Sequence, residues 1–73
     1  MPFYVEYTVN QNADIRSALD AADREEALSR ATDTVREAGC RAALLRFEAT
    51  ASTSFGQGVL VARYSETVGW ETL

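Results

Sequence analysis

Phe3, Val5, Tyr7 and Val9 alternate with Tyr4, Glu6, Thr8 and Asn10, the period of two that a strand with one buried face requires. Asn10 to Asp14 reads as a turn, because Asn and Asp tolerate positive φ and bond to nearby backbone. From Ile15 the alternation resumes, with Ile15, Ser17, Leu19 and Ala21 set against Arg16, Ala18 and Asp20. That pattern predicts a second strand paired to the first as a hairpin. The competing reading starts a helix early, at Asp14, since Ser17, Ala18 and Leu19 are weak strand formers.

A period near 3.6 follows. Ala27, Leu28, Ala31, Val35 and Ala38 form one stripe, while Arg24, Glu25, Ser29, Arg30, Asp33, Arg36 and Glu37 occupy the other side. Asp23 with Glu26 three positions later has capping-box spacing. Glu25 and Glu26 fall in the first turn, where the helix dipole favours acids. Gly39, just past the stripe, suits a left-handed C-terminal cap. The helix is therefore expected between Asp23 and Gly39.

Beyond the cap, Ala43, Leu45, Phe47 and Ala49 alternate with Ala42, Leu44, Arg46 and Glu48, which predicts a third strand over Arg41 to Ala49. Thr50 to Gly58 is small and polar, with Gly56 and Gly58 as breakers, and reads as a hairpin loop. A fourth strand is expected from Val59 to about Glu66. Its core face is assigned to Leu60, Ala62, Tyr64 and Glu66, because an unpaired Arg63 would be costly to bury. Thr67 to Leu73 either extends that strand or docks separately.

The expected architecture is one α+β domain over residues 1–73, a β-β-α-β-β two-layer sandwich with one helix packed on a four-stranded, mostly antiparallel sheet. A helix about 10 Å wide cannot cover four strands spaced about 4.8 Å apart. Part of that face needs another cover, such as Trp70 or a second copy of the chain. The opposite face is expected to present Tyr4, Glu6, Thr8, Arg16, Ala18, Asp20, Leu44, Arg46, Glu48, Val59, Val61 and Arg63. If the last two strands pair, Leu44, Val59 and Val61 become neighbours in an exposed apolar patch of the kind that marks interfaces. Tyr4, Leu44, Val59, Val61, Arg63 and Trp70 are the interface candidates.

Composition narrows the partners. Of 73 residues, 47% are hydrophobic and 25% charged, the mixture of a globular chain. No apolar run approaches the roughly 20 residues of a membrane span. The N-terminal stretch has no basic region and carries Glu6 among its apolar residues, unlike a signal peptide, so a cytoplasmic location is expected. Cys40 is alone and closes no intrachain disulfide. With an unstapled core this small, burial and ordering entropy nearly cancel, which makes self-association an expectation.

Eleven acids against seven arginines give a net charge of −4, and the arginines are spread along the chain. Direct nucleic-acid binding is not expected.

Candidate chemistry is sparse. Without histidine or lysine, histidine triads, Schiff bases and the phosphate-loop lysine are excluded. Cys40 follows a helix C-terminus, the negative end of the dipole, which disfavours a thiolate. Phe55-Gly56-Gln57-Gly58 has no following helix to hold a phosphate and reads as a glycine-permitted turn. Glu25 and Glu26 point apart on a helix and form no site together. No cofactor and no metal site are expected.

The expectation is a small non-enzymatic interaction module that self-associates or binds a protein through its open sheet face. A sharper form is an inhibitor or regulator encoded by a mobile element, presenting carboxylates to a nucleic-acid-binding protein. One alternative is enzymatic. Chain length, Pro2, an early strand, one helix and a late glycine-containing stretch resemble the 4-oxalocrotonate tautomerase family. That resemblance implies an oligomer in which Pro2, after removal of Met1, is the N-terminal general base and arginines bind an acidic substrate. The chain departs from the family in the length of Asn10 to Ala22 ahead of the helix and in carrying Met1.

Overall fold

In the computed structural model, which describes residues 3–9, 13–48, 56 and 58–73, the elements run β1 (Phe3–Val9), β2 (Ala13–Leu19), α1 (Arg24–Ala38), β3 (Ala42–Phe47), β4 (Val59–Ser65) and β5 (Gly69–Thr72). Every pairing is antiparallel and the sheet order is β2-β1-β3-β4-β5. The class is α+β, with five strands instead of the expected four. Pro2, the turn residues Asn10 to Asn12 and most of the expected loop from Thr50 to Gly58 lie outside the described residues, Gly56 and Gly58 excepted.

The fifth strand is the tail left open by the pattern. It turns back after β4 and sets Gly69 opposite Ser65 and Trp70 opposite Tyr64. Gly69 takes φ 85°, a left-handed conformation that costs glycine little. Ser65 Oγ accepts the Val68 N–H at 3.4 Å, and Leu73 N–H reaches the Val61 carbonyl at 3.0 Å. A four-residue strand with one large apolar side chain carries too little periodicity to announce itself.

Residues 14–19 are strand, not early helix. Leu19 pairs with Phe3, Ser17 with Val5 and Ile15 with Tyr7, so the alternation of both segments agrees on one face. Helix α1 then begins at its cap. Asp23 accepts the Glu26 N–H at 2.9 Å, and Glu26 reaches back to the Ala22 N–H at 2.8 Å. At the other end Gly39, φ 67°, returns its N–H to the Val35 carbonyl at 2.9 Å. The buried positions Ala27, Ala31 and Val35 are small, which lets the helix lie close over β1, β2 and β3, the strands it packs against.

The core between the layers contains Phe3, Val5, Ala43, Leu45, Val61 and Ala62 from the sheet. Leu45 and Val5 are fully buried on adjacent central strands. Fully burying an aliphatic side chain of this size contributes about 1.5–3 kcal/mol. Farther along the sheet Tyr64 and Trp70 pack at 5.3 Å between ring centroids. Trp70 Nε1–H donates to Thr32 Oγ1 at 2.9 Å, and that hydroxyl donates to the Leu28 carbonyl at 2.7 Å. Trp70 thus supplies part of the missing cover over the sheet.

Strand β4 corrects the face assignment. Leu45 pairs with Ala62, but Arg46 pairs with Leu60, leaving Val61 as the extra residue of a β-bulge. A bulge puts two residues opposite one and resets the alternation. Ala62 and Tyr64 face the helix as expected. Leu60, expected in the core, shares the outer face with Arg46. Val59 and Val61, expected outside, belong to the helix side: Val59 pairs with Phe47, and Val61 is buried in the core cluster.

Candidate functional site

The outer face of the sheet carries a sealed charge network. Glu6, expected to be an exposed partner of nearby charges, is only 1% exposed. Arg16 stands directly opposite it on β2 and donates from Nη1 to Glu6 Oε2 at 2.7 Å. Arg46, diagonal to it on β3, donates from Nε to Oε1 at 2.5 Å. Gly56 N–H donates to Oε2 at 2.6 Å. Arg16 Nη2 pairs in turn with Glu48, and its guanidinium lies 3.9 Å from the centroid of the Tyr4 ring. Two carboxylates and two guanidiniums neutralise one another.

Burial by itself raises the pKa of Glu6. The Gly56 N–H, Arg16 and Arg46 together outweigh it and hold the carboxyl below the usual range. Burial likewise opposes the charge on Arg16, and the bonds to Glu6 and Glu48 prevail and raise its pKa. Both shifts favour the ionised forms of Glu6 and Arg16. The network is tied to the glycine stretch at two points, because Glu6 accepts the Gly56 N–H and Arg46 Nη1 donates to the Gly58 carbonyl at 3.2 Å.

Gly58, at φ 100°, is required by space as well as by conformation. A Cβ there would lie 2.5 Å from Glu48 Cγ and 2.7 Å from the Phe47 carbonyl oxygen. The glycines read as a turn thus present backbone groups to the side chains of β1 and β3.

This arrangement changes the standing of the interface candidates. Tyr4 is buried beneath Arg16 and offers no docking surface. Leu44 is half-buried and Arg63, its direct partner on β4, is exposed, so these two remain on the outer face. Trp70 is half-buried against Tyr64 and Thr32. The expected patch of Leu44 with Val59 and Val61 does not form, since the bulge sends the valines to the opposite face.

On that helix side lies a depression that residue spacing could not locate. Phe3 and Phe47 form its floor, in edge contact at 5.2 Å between centroids. Val61 and Val59 line the β4 side, and Ala22, Asp23 and Arg24 form the rim at the start of α1. Its volume is about 460 Å³. Val59 is 68% exposed, although it pairs directly with Phe47. The cause is the one anticipated from widths: the helix covers β1 to β3, and Trp70 covers the far end of β4, so among the described residues this corner is left bare.

Arg24 is exposed and has no ion-pair partner among the described residues. Asp23, also exposed, uses one carboxylate oxygen for its helix cap. A base and an acid therefore stand together beside an apolar floor.

A second, larger depression lies where the ends of β1 and β4 meet the start of β3, bordered by Thr8, Cys40, Arg41, Leu44, Arg63 and Ser65. Burial pushes the Cys40 thiol up, which keeps it protonated and a poor nucleophile near neutral pH. Among the described residues no group of three or more His, Cys, Asp or Glu is placed to hold a metal ion, and no helix is long and apolar enough to cross a membrane. Of the arginines that a tautomerase-like site would call on, Arg16 and Arg46 are engaged by the chain's own carboxylates.

No family model, curated protein or solved structure matches the chain.

Proposed function

We propose that this chain is a non-enzymatic protein-interaction module whose docking surface is the bare corner of the sheet on the helix side. The observation that carries this reading is Val59, exposed over two aromatic rings and a buried valine in a corner that the single helix does not reach. An exposed apolar floor rimmed by polar residues is the usual anatomy of a protein contact. The outer face supports the same choice from the other direction, because its central charges are consumed internally and are sheltered from solvent.

The experiment is affinity capture with the full chain as bait, in three forms: wild type, Val59→Glu and Leu44→Glu. Bound proteins, including tagged copies of the chain itself, are identified by mass spectrometry. The expected result is a specific protein held by wild type and Leu44→Glu and lost from Val59→Glu. Identical captures by all three forms would refute the assignment of the surface.

A further inference from the structure

We infer that the occupant of the bare corner is a second copy of this chain, docked about a two-fold axis that passes close to Val59. The inference rests on the proposed docking surface and names its partner. Three observations lead to it.

The first is the charge of the rim. A corner built for an acidic or a basic partner would carry one sign, whereas this rim carries Arg24 and Asp23 side by side, both exposed. In a two-fold contact the same patch meets itself, so residue i touches j and j touches i. Arg24 of one protomer then finds Asp23 of its partner, and the reciprocal pair forms as well. Each arginine gains a partner that the described residues of its own chain do not offer it.

The second observation is the thinness of the core. Among the described residues five of the eleven buried apolar residues are alanine, and Glu6 ranks with Leu45 and Val5 as the largest fully buried side chains. Domains of this size bury a smaller fraction of their surface than larger ones do and are correspondingly marginal. Covering Phe3, Phe47 and Val59 with the same residues of another copy extends the core across the axis.

The third is the long-range charge. Each protomer carries −4, but the domain measures 29 × 24 × 20 Å, so most charges of the two copies lie farther apart than the Debye length of about 8 Å at physiological salt. The net repulsion is screened, and the rim pairs at contact distance are not.

Sedimentation velocity over a range from about 10 µM to about 1 mM tests this with the full chain and three variants. Val59→Glu places a charge at the axis. Arg24→Glu leaves two acids facing two acids, and both positions are exposed, so folding is preserved; an acid at the first helical position also suits the dipole. Leu44→Glu is the control on the outer face, and circular dichroism verifies each fold. The expected result is a wild-type dimer whose dissociation constant rises at least tenfold in Val59→Glu and in Arg24→Glu and is unchanged in Leu44→Glu. A monomer at every concentration, or a dimer that only Leu44→Glu weakens, overturns the inference. Capture of another protein that Val59→Glu abolishes would in that case leave the docking surface standing. Capture indifferent to Val59→Glu would remove both.

Discussion

Replacing Glu6 with glutamine removes a single charge and no volume from the centre of the outer face. Three donors converge on that carboxylate: Arg16 at 2.7 Å, Arg46 at 2.5 Å and the Gly56 N–H at 2.6 Å. Arg16 and the Gly56 N–H share Oε2, so a glutamine oxygen placed there keeps those two at most, with no charge, and turns its amide nitrogen toward Arg46. Stranding a buried charge by removing its partner costs about 3–5 kcal/mol. Two features place Glu6→Gln near the lower end: Arg16 retains Glu48, and Arg46 is 18% exposed and retains the Gly58 carbonyl. The expected loss is about 3 kcal/mol, against a total of about 4–11 kcal/mol for a domain of this length.

Urea unfolding followed by the emission of Trp70, the sole tryptophan, measures it. With a slope of about 1 kcal/mol per molar, the midpoint falls by roughly 3 M. The pH dependence gives an independent check. Because the folded Glu6 pKa lies below the unfolded value of about 4.3, its stabilisation is complete above that value and is lost as pH falls through the folded pKa. The gap between wild type and Glu6→Gln is therefore constant near neutrality and closes in acid. A gap below about 0.5 kcal/mol at pH 7, typical of an exposed pair, would refute the reasoning, as would a gap that persists undiminished at pH 2.

Two glycine substitutions separate crowding from backbone strain. At Gly39 nothing lies within 4 Å of a new Cβ, so Gly39→Ala costs only the left-handed conformation, about 1 kcal/mol. At Gly58 the Cβ also meets the Phe47 carbonyl, and Gly58→Ala should cost about 1–3 kcal/mol more, the usual cost of overpacking; equal midpoints in urea would contradict this. Asp23→Ala removes the cap on the Glu26 N–H and should lower stability by about 1 kcal/mol, read as a loss of thermal midpoint with the helical circular dichroism retained at low temperature.

Much of the local structure was legible along the chain. The helix runs between the predicted caps because Asp23, Glu26 and Gly39 satisfy end groups that any helix leaves open, whatever it packs on. The hairpin of β1 and β2 was legible because both strands alternate in phase. Strand β5 was not, since its docking depends on Trp70 reaching Thr32, a contact between positions 38 residues apart. The candidate site was misplaced for one reason. Alternation assigns faces only while one residue opposes one residue, and the bulge at Val61 breaks that count. Val59, one of the interface candidates, was set on the opposite side of the sheet, and its neighbours Phe3, Phe47 and Arg24 were not among the candidates.

The charges show the same division. Glu26 and Arg30, four apart on the helix, form the local pair that spacing predicts, exposed and 3.4 Å long, and such pairs contribute about 0.2–0.5 kcal/mol. The pairs that bury Glu6 span 10 and 40 residues and exist only because β1 lies between β2 and β3. Periodicity and capping are properties of neighbouring residues, so the sequence by itself determined the α+β class, the helix limits and four of the five strands. Strand order, the bulge, the sealed charge network and the bare corner depend on which distant segments come into register, and that was decided by packing in the tertiary structure.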